Sequence, residues 1–429
     1  MPSETPASSF LLDPHTSEFC KNPFAVYAHL REHAPVYYWE KGRAWLVSRH
    51  ADVVSVLRDP RLSTSQRHWE HAPPPPAHLA GAMAEFFSLL GSLMTVAPPK
   101  DHLRLRRLVT PAFSVPAIER LRRTIQRPIE EEIDQACQGD ILDVRRELAD
   151  RIPGRTMAVI LGIPRAHEAA FRAFSNAVIK AFNPWLSKDD FGQVVADTMQ
   201  GAGRIRELIE ARSRDLGADL LSDLIRAEDA GDRLSKEELL GMVAVIIAGG
   251  FETTTHALCF AVRNLLMHPE ERQSVAADPS LLGAFVEESL RSSPVGKFGG
   301  IPRYALEDIE IRGTPIRKGQ MVQAVLGAAQ RDPDAFSAPD VFDMRRDHRA
   351  TVAFGTGPYY CLGAALARLE LAATLEALLL RFPAMELITQ ELEFVPHPSL
   401  RDMASLKVAL NSSLTRATES DPPAARHGR

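Results

Sequence analysis

FGTGPYYCLGAALAR, Phe354 to Arg368, sets three glycines, a proline, two tyrosines and one of four cysteines ahead of an apolar helical run. A thiol ligates or attacks well only when ionised, and a place just before a helix N-terminus favours the anion through unpaired amides and the helix dipole. Gly355 and Gly357 permit backbone conformations closed to other residues, and Gly363 leaves amides near the sulfur of Cys361 unshielded. From these residues alone three readings stay open. Cys361 is a small buried hydrophobe in a tight turn, a nucleophile, for which no hydrolase signature is present, or a metal or haem ligand.

With 429 residues, 45% of them apolar, the chain can bury a sizeable core. A net charge of −5 with interspersed signs implies neither nucleic acid nor an anionic membrane as partner. Cys20, Cys137, Cys259 and Cys361 form no CxxC pair, so neither a disulfide framework nor a zinc site is suggested and a reducing cytoplasm is expected. The N-terminus lacks a basic segment followed by an apolar one, as a secretory signal requires. The greasy run LLGMVAVIIAGGF is read as too short for a membrane span.

Residues 1–14 and 411–429 are polar and aperiodic, and are expected to be mobile. PVYYWEKGRAWLVSR reads as a hairpin around Lys-Gly. The proline-bounded stretch from His68 to Pro99, rich in Phe, Leu and Met, reads as a loop folding over something apolar. Asp101 to about Ser292 is mostly helical, ALEDIEIRGTPIRKGQMVQAV is a short β element, and a long helix runs from Ala364 to about Arg381. The fold class expected is mainly α with small β-sheets, one large domain over 15–410.

LLGMVAVIIAGGFETTTHALCFAVRNLL is apolar nearly all round and reads as one buried helix, so its polar centre needs a reason. Gly249 and Gly250 weaken a helix and Glu252 carries a desolvation cost beside Thr253, Thr254 and Thr255. Taken alone this is a kink with hydroxyls bonded to carbonyls. Glu288 and Arg291 lie one turn apart and can pair, as can many surface residues. His102 and Arg106 share one face of PPKDHLRLRRLV, which taken alone is a solvated basic face.

Together these stretches resemble the cytochrome P-450 family. Phe354, Gly355, Gly357, Cys361 and Gly363 match its haem-binding signature, with Tyr359 where a basic residue is usual. Gly249, Gly250, Glu252 and Thr253 match its oxygen-activation motif, and Glu288 and Arg291 its E-x-x-R pair. AAQRDP is a near match to another stretch, and the likeness runs from Asn22 to about Leu410. The resemblance implies the family fold, with haem b between a long central helix and the cysteine-loop helix and Cys361 as iron ligand. It implies O2 as co-substrate and Glu252 and Thr253 as proton-delivering catalytic residues beside a groove opened at Gly249 and Gly250. His102, Arg106, Arg303 and Tyr359 become propionate ligands, and Arg346, less so Arg345, the third member of the Glu288–Arg291 trio.

The resemblance further implies a monooxygenase, monomeric, taking electrons ultimately from NAD(P)H through a ferredoxin-type partner, since the chain is too short to add a reductase domain. Arg104, Arg107 and Arg368 are candidates for its docking face. The substrate is expected to be apolar, because the walls placed by resemblance are Phe86, Phe87, Leu90, Met94, Phe182, Trp185, Ala248, Val295, Phe298 and Met403. Secondary-metabolism members, one a macrolide epoxidase, are the nearest in pattern. A polyketide, macrolide or terpenoid is therefore expected ahead of a steroid or fatty acid, and hydroxylation ahead of epoxidation. The alternatives are a peroxide-driven peroxygenase and a non-catalytic haem protein that binds a small molecule.

Overall fold

The computed structural model describes residues 12–14, 16–72, 81–182, 186, 188–229, 231–397 and 399–411. The two ends expected to be mobile lie almost wholly outside them. Leu12 is nonetheless buried beside Phe19 and Tyr27, and Lys41 donates to Asp13 at 3.2 Å, so residues ahead of 15 take part in the packing.

The expected hairpin forms: Val36–Trp39 pairs antiparallel with Ala44–Val47 across a 3-10 turn, Arg43 taking the left-handed conformation. Ala44–Val47 continues parallel to Met321–Ala324, which pairs with Arg303–Ala305 and through it Leu62–Ser63. The β element after residue 303 supplies two of those strands and a hairpin, Ile309–Ile311 with Thr314–Ile316. A second sheet joins Glu386–Leu387, Lys407–Ala409 and Ile141–Asp143, and Phe394–Val395 pairs with Asp402–Met403.

The helices that frame the site are α1 (Ala82–Ser92), α2 (Pro99–Val109), α3 (Glu168–Ala181), α4 (Lys188–Arg214), α5 (Lys236–Gly250), α6 (Glu252–Met267), α7 (Leu282–Ser292) and α8 (Ala364–Arg381). The stretch expected to be a greasy loop is thus partly α1. Its apolar residues recur at helical spacing and pack on α4 and α5, which a loop could not do without orphaning buried amides.

The central helix is two helices. Ser235 opens α5 with a reciprocal capping box, accepting from the Glu238 amide at 3.1 Å while Glu238 accepts from its own at 2.8 Å. The ladder breaks at Phe251 (φ −85°, ψ −77°), directly after two glycines. Thr255 fastens the break, its hydroxyl donating to Ala149 O at 2.9 Å and Phe251 O at 3.1 Å. Lys236–Met267 taken together is long and apolar enough to cross a membrane, contrary to the reading from the shorter run, and 72% of that apolar window is buried inside the protein.

Behind the site, Glu288 and Arg291 form a fully buried pair at 2.6 Å. Arg291 also donates to Gln330 O, Pro339 O and Val341 O, and Glu288 accepts from the Asp343 amide at 2.9 Å. Arg346 stands 3.5 Å from Glu288, whereas Arg345 pairs with Glu271. His348, which the motif did not name, reaches the same carboxylate at 3.1 Å. Burial alone would raise the Glu288 pKa, but hydrogen bonds from Arg291 and His348 bring it down to about 2. The stability it contributes is present above the ordinary carboxylate pKa and lost as pH falls through about 2. Glu288→Ala, which leaves a buried guanidinium uncompensated, is expected to cost about 3–5 kcal/mol by chemical denaturation. A loss under about 1 kcal/mol, the range of exposed pairs, would refute the role.

Candidate active site

Gly355 and Gly357 take φ of 70° and 75°, as the turn needs, and a Cβ on Gly357 would lie 2.8 Å from Arg58 Cγ. The Cys361 amide donates to Phe354 O at 2.9 Å, closing the loop two residues before the Gly363 cap of α8. Cys361 is exposed by surface area, yet enough protein surrounds it for burial to raise its thiol pKa. The Gly363 amide, Arg106 and Arg368 oppose that rise without cancelling it.

Within the loop, Tyr359 packs against His102, ring centroids 4.0 Å apart, and Arg303 lies over its ring with the guanidinium 4.9 Å from the centroid. Arg303 is 4% exposed, burial lowers its pKa to about 10, and it donates to Ile301 O at 2.7 Å. No carboxylate pairs with it among the described residues. The Tyr359 hydroxyl is likewise buried without a hydrogen-bond partner. His102 Nδ1 faces Met94 O and Nε2 faces Pro358 O, both at 2.9 Å. Arg106 donates to Tyr360 O.

At the break in the central helix the two glycines separate. A Cβ on Gly249 would meet nothing within 4 Å, whereas one on Gly250 would strike Met157 Sδ at 2.7 Å. Gly249 borders open space, and Gly250 is close-packed. Thr253 donates to Gly249 O, back-bonding across the break. Glu252 Oε2 is buried and faces His397 Nε2 at 3.5 Å.

Two expected walls stand elsewhere. Phe298 packs with Phe19, Tyr27 and Trp39 under the large sheet. Phe86 is 1% exposed and locks α1 to α4 against Phe87 and Phe191. Leu90, Met94, Phe182, Ala248, Val295 and Met403 belong to or border the main core. Trp185 lies outside the described residues. Arg104 is paired with Asp232 and Glu238, and Arg368 with Glu287, so most of the charge expected for docking is neutralised locally.

The residues fit a haem. A soft sulfur stands exposed, space remains where Cβ atoms of Gly249, Gly355 and Gly363 would be, and Arg303 and Tyr359 hold buried donors that a propionate would satisfy. The comparisons agree: the family model "Cytochrome P450" matches residues 85–401, and the chain belongs to the cytochrome P-450 family, whose members bind haem and use O2. The chain is 37% identical over 416 residues to the epothilone C/D epoxidase of Sorangium cellulosum, covering 96% of this chain and 97% of the relative. It is 35% identical to the mycinamicin IV hydroxylase/epoxidase of Micromonospora griseorubida, covering 84% and 88%. A crystal structure of an epothilone D-bound cytochrome P-450 superposes with TM-score 0.87 at 36% identity, covering 94% of this chain and all of that one. Like these relatives, it is an oxygen-incorporating oxidoreductase of the secondary-metabolism type.

Removing the Tyr359 hydroxyl while keeping its ring is expected to speed haem transfer to an apo acceptor about fivefold, the worth of one neutral hydrogen bond. Tyr359→His should slow it relative to Tyr359→Phe. Equal rates in all three proteins would show that Tyr359 makes no propionate contact.

Proposed function

We propose that this protein is a monooxygenase that oxygenates a macrocyclic polyketide, with Cys361 ligating haem iron and Glu252 and Thr253 handling protons. The observation that carries it is near full-length similarity to a macrolactone epoxidase together with an intact acid and alcohol beside the open face of Gly249. When bound, the haem supplies a thiolate-ligated iron that activates O2 for insertion of one oxygen atom, the other leaving as water.

The chain's own residues do the rest. Gly355 and Gly357 turn the loop so that Cys361 faces the cavity, and the Gly363 amide stabilises sulfur charge. Arg303 and Tyr359 orient the carboxylate edge, with Arg106 beside them. Gly249 leaves room for O2, the Thr253 hydroxyl stands at that opening, and the Glu252 carboxylate supplies protons from one residue away. Leu90, Met94, Ala248, Val295 and Met403 give the substrate an apolar wall. Electrons would come from NAD(P)H through a separate ferredoxin-type protein. Glu252 and Thr253 favour this over a peroxide-driven reaction or simple ligand binding, neither of which needs a proton supply.

Two measurements test the reading. The reduced, CO-bound protein should show a Soret band shifted to the red of that of Cys361→His, and coincident bands would remove the thiolate. Titrating the ferric protein with epothilone D should move the spectrum toward high spin at lower concentration than palmitate or testosterone does. The reverse order would reject the macrocyclic class.

A further inference from the structure

Glu252 is held from across the fold. The segment between the strands Phe394–Val395 and Asp402–Met403 brings His397 to it, Nε2 lying 3.5 Å from Glu252 Oε2. Neither atom has a hydrogen-bond partner among the described residues, the two standing within ion-pair distance of one another, and the His397 side chain is 7% exposed. The ring is not free to choose its tautomer. Its Nδ1 accepts the backbone amides of Ser399 at 3.1 Å and Leu400 at 2.9 Å, so in the neutral ring the proton sits on Nε2, the nitrogen near the carboxylate.

The backbone is pinned as well. His397 O accepts from the buried Lys297 Nζ at 2.6 Å, and the Lys297 amide donates to Ser399 O at 2.9 Å. One helical turn on from Glu252, His256 repeats the pairing with roles exchanged: its Nδ1 stands 3.7 Å from Asp402 Oδ1 on the same hairpin. Asp402 is in turn held by Arg145 at 2.9 Å, and Arg145 also pairs with Asp150. Burial, with Arg145 adding to it, lowers the His256 pKa to about 3, so that ring is neutral at working pH. Each element thus offers the other one acid and one imidazole.

We propose that His397 is a positioning residue for Glu252: its ring, locked by two amides, donates to the carboxylate and fixes where the acid stands beside Thr253. It is not a proton shuttle. To pass on its Nε2 proton it would have to take another at Nδ1, where two amide donors already stand, so protons reach Glu252 by another way. Histidine suits the task because one nitrogen anchors to backbone while the other, on the far side of a rigid ring, makes the contact. The proposal rests on Glu252 being the acid of the reaction.

The test needs no substrate. The ferric holoenzyme carrying 15N-histidine should show His397 as the Nε2–H tautomer at neutral pH, unchanged in Glu252→Gln; an Nδ1–H or averaging ring overturns the proposal. With a surrogate ferredoxin, its reductase and NADPH, reducing equivalents leave as hydrogen peroxide or, when protons are well delivered, as water. His397→Ala should raise peroxide per NADPH about threefold, a fraction of the ~10²-fold that an ångström of misplacement can cost. His397→Asn, which keeps a donor, should restore at least half. In the Glu252→Gln background His397→Ala should add nothing, and an equal effect there overturns the proposal. If Glu252→Gln itself leaves the ratio unchanged, the acid reading fails, and the tautomer measurement still decides whether the ring is anchored with its donor on Nε2.

Discussion

A carboxylate with no solvent exposure fixes the frame on which the site is built. Glu288 gathers Arg291 from its own helix, Arg346 and His348 from the irregular segment before the cysteine loop, and the Asp343 amide. Arg291 in turn satisfies carbonyls at Gln330, Pro339 and Val341. A segment with no ladder of its own is thereby tied to α7, and Cys361 follows thirteen residues after His348. Buried charge is a weak source of stability against a hydrophobic alternative, but it specifies one arrangement, because removing any member orphans the rest.

The second constraint is the broken central helix. An unbroken ladder would bury its own carbonyls and leave no opening. The fault at Phe251 frees the turn holding Gly249, Glu252 and Thr253, and its cost is spread over the Thr253 and Thr255 hydroxyls. Polar groups left over mark the site: the Arg303 cation meets no carboxylate, and the Tyr359 hydroxyl no hydrogen-bond partner, among the described residues. The same accounting picks out Glu252 and His397, whose unmatched atoms face one another.

Local pattern determined a good deal. The glycine spacing around Cys361, the start of α8 at Ala364, the hairpin around Lys41 and Gly42, and the Glu288–Arg291 turn were all legible, because each depends on neighbours within a few residues. So was the polar fault in an apolar helix, since the composition of one segment contains it. Legible with them was the family, because several short motifs recur in one order.

Only the tertiary structure decided which of two like residues does what. Gly249 faces space while Gly250 packs on Met157, Arg346 rather than Arg345 joins Glu288, and Phe298 is core under a sheet rather than a pocket wall. His348 and His397 carried no local signal: one is sixty residues from Glu288, and the other reaches Glu252 from the far end of the chain. The thiol of Cys361 shows the same division. Its helix N-terminus is written in sequence, but the burial that pushes its pKa up comes from protein folded around the loop. Conformational preference is a property of neighbouring residues, whereas desolvation and partnership are properties of whatever the fold brings close.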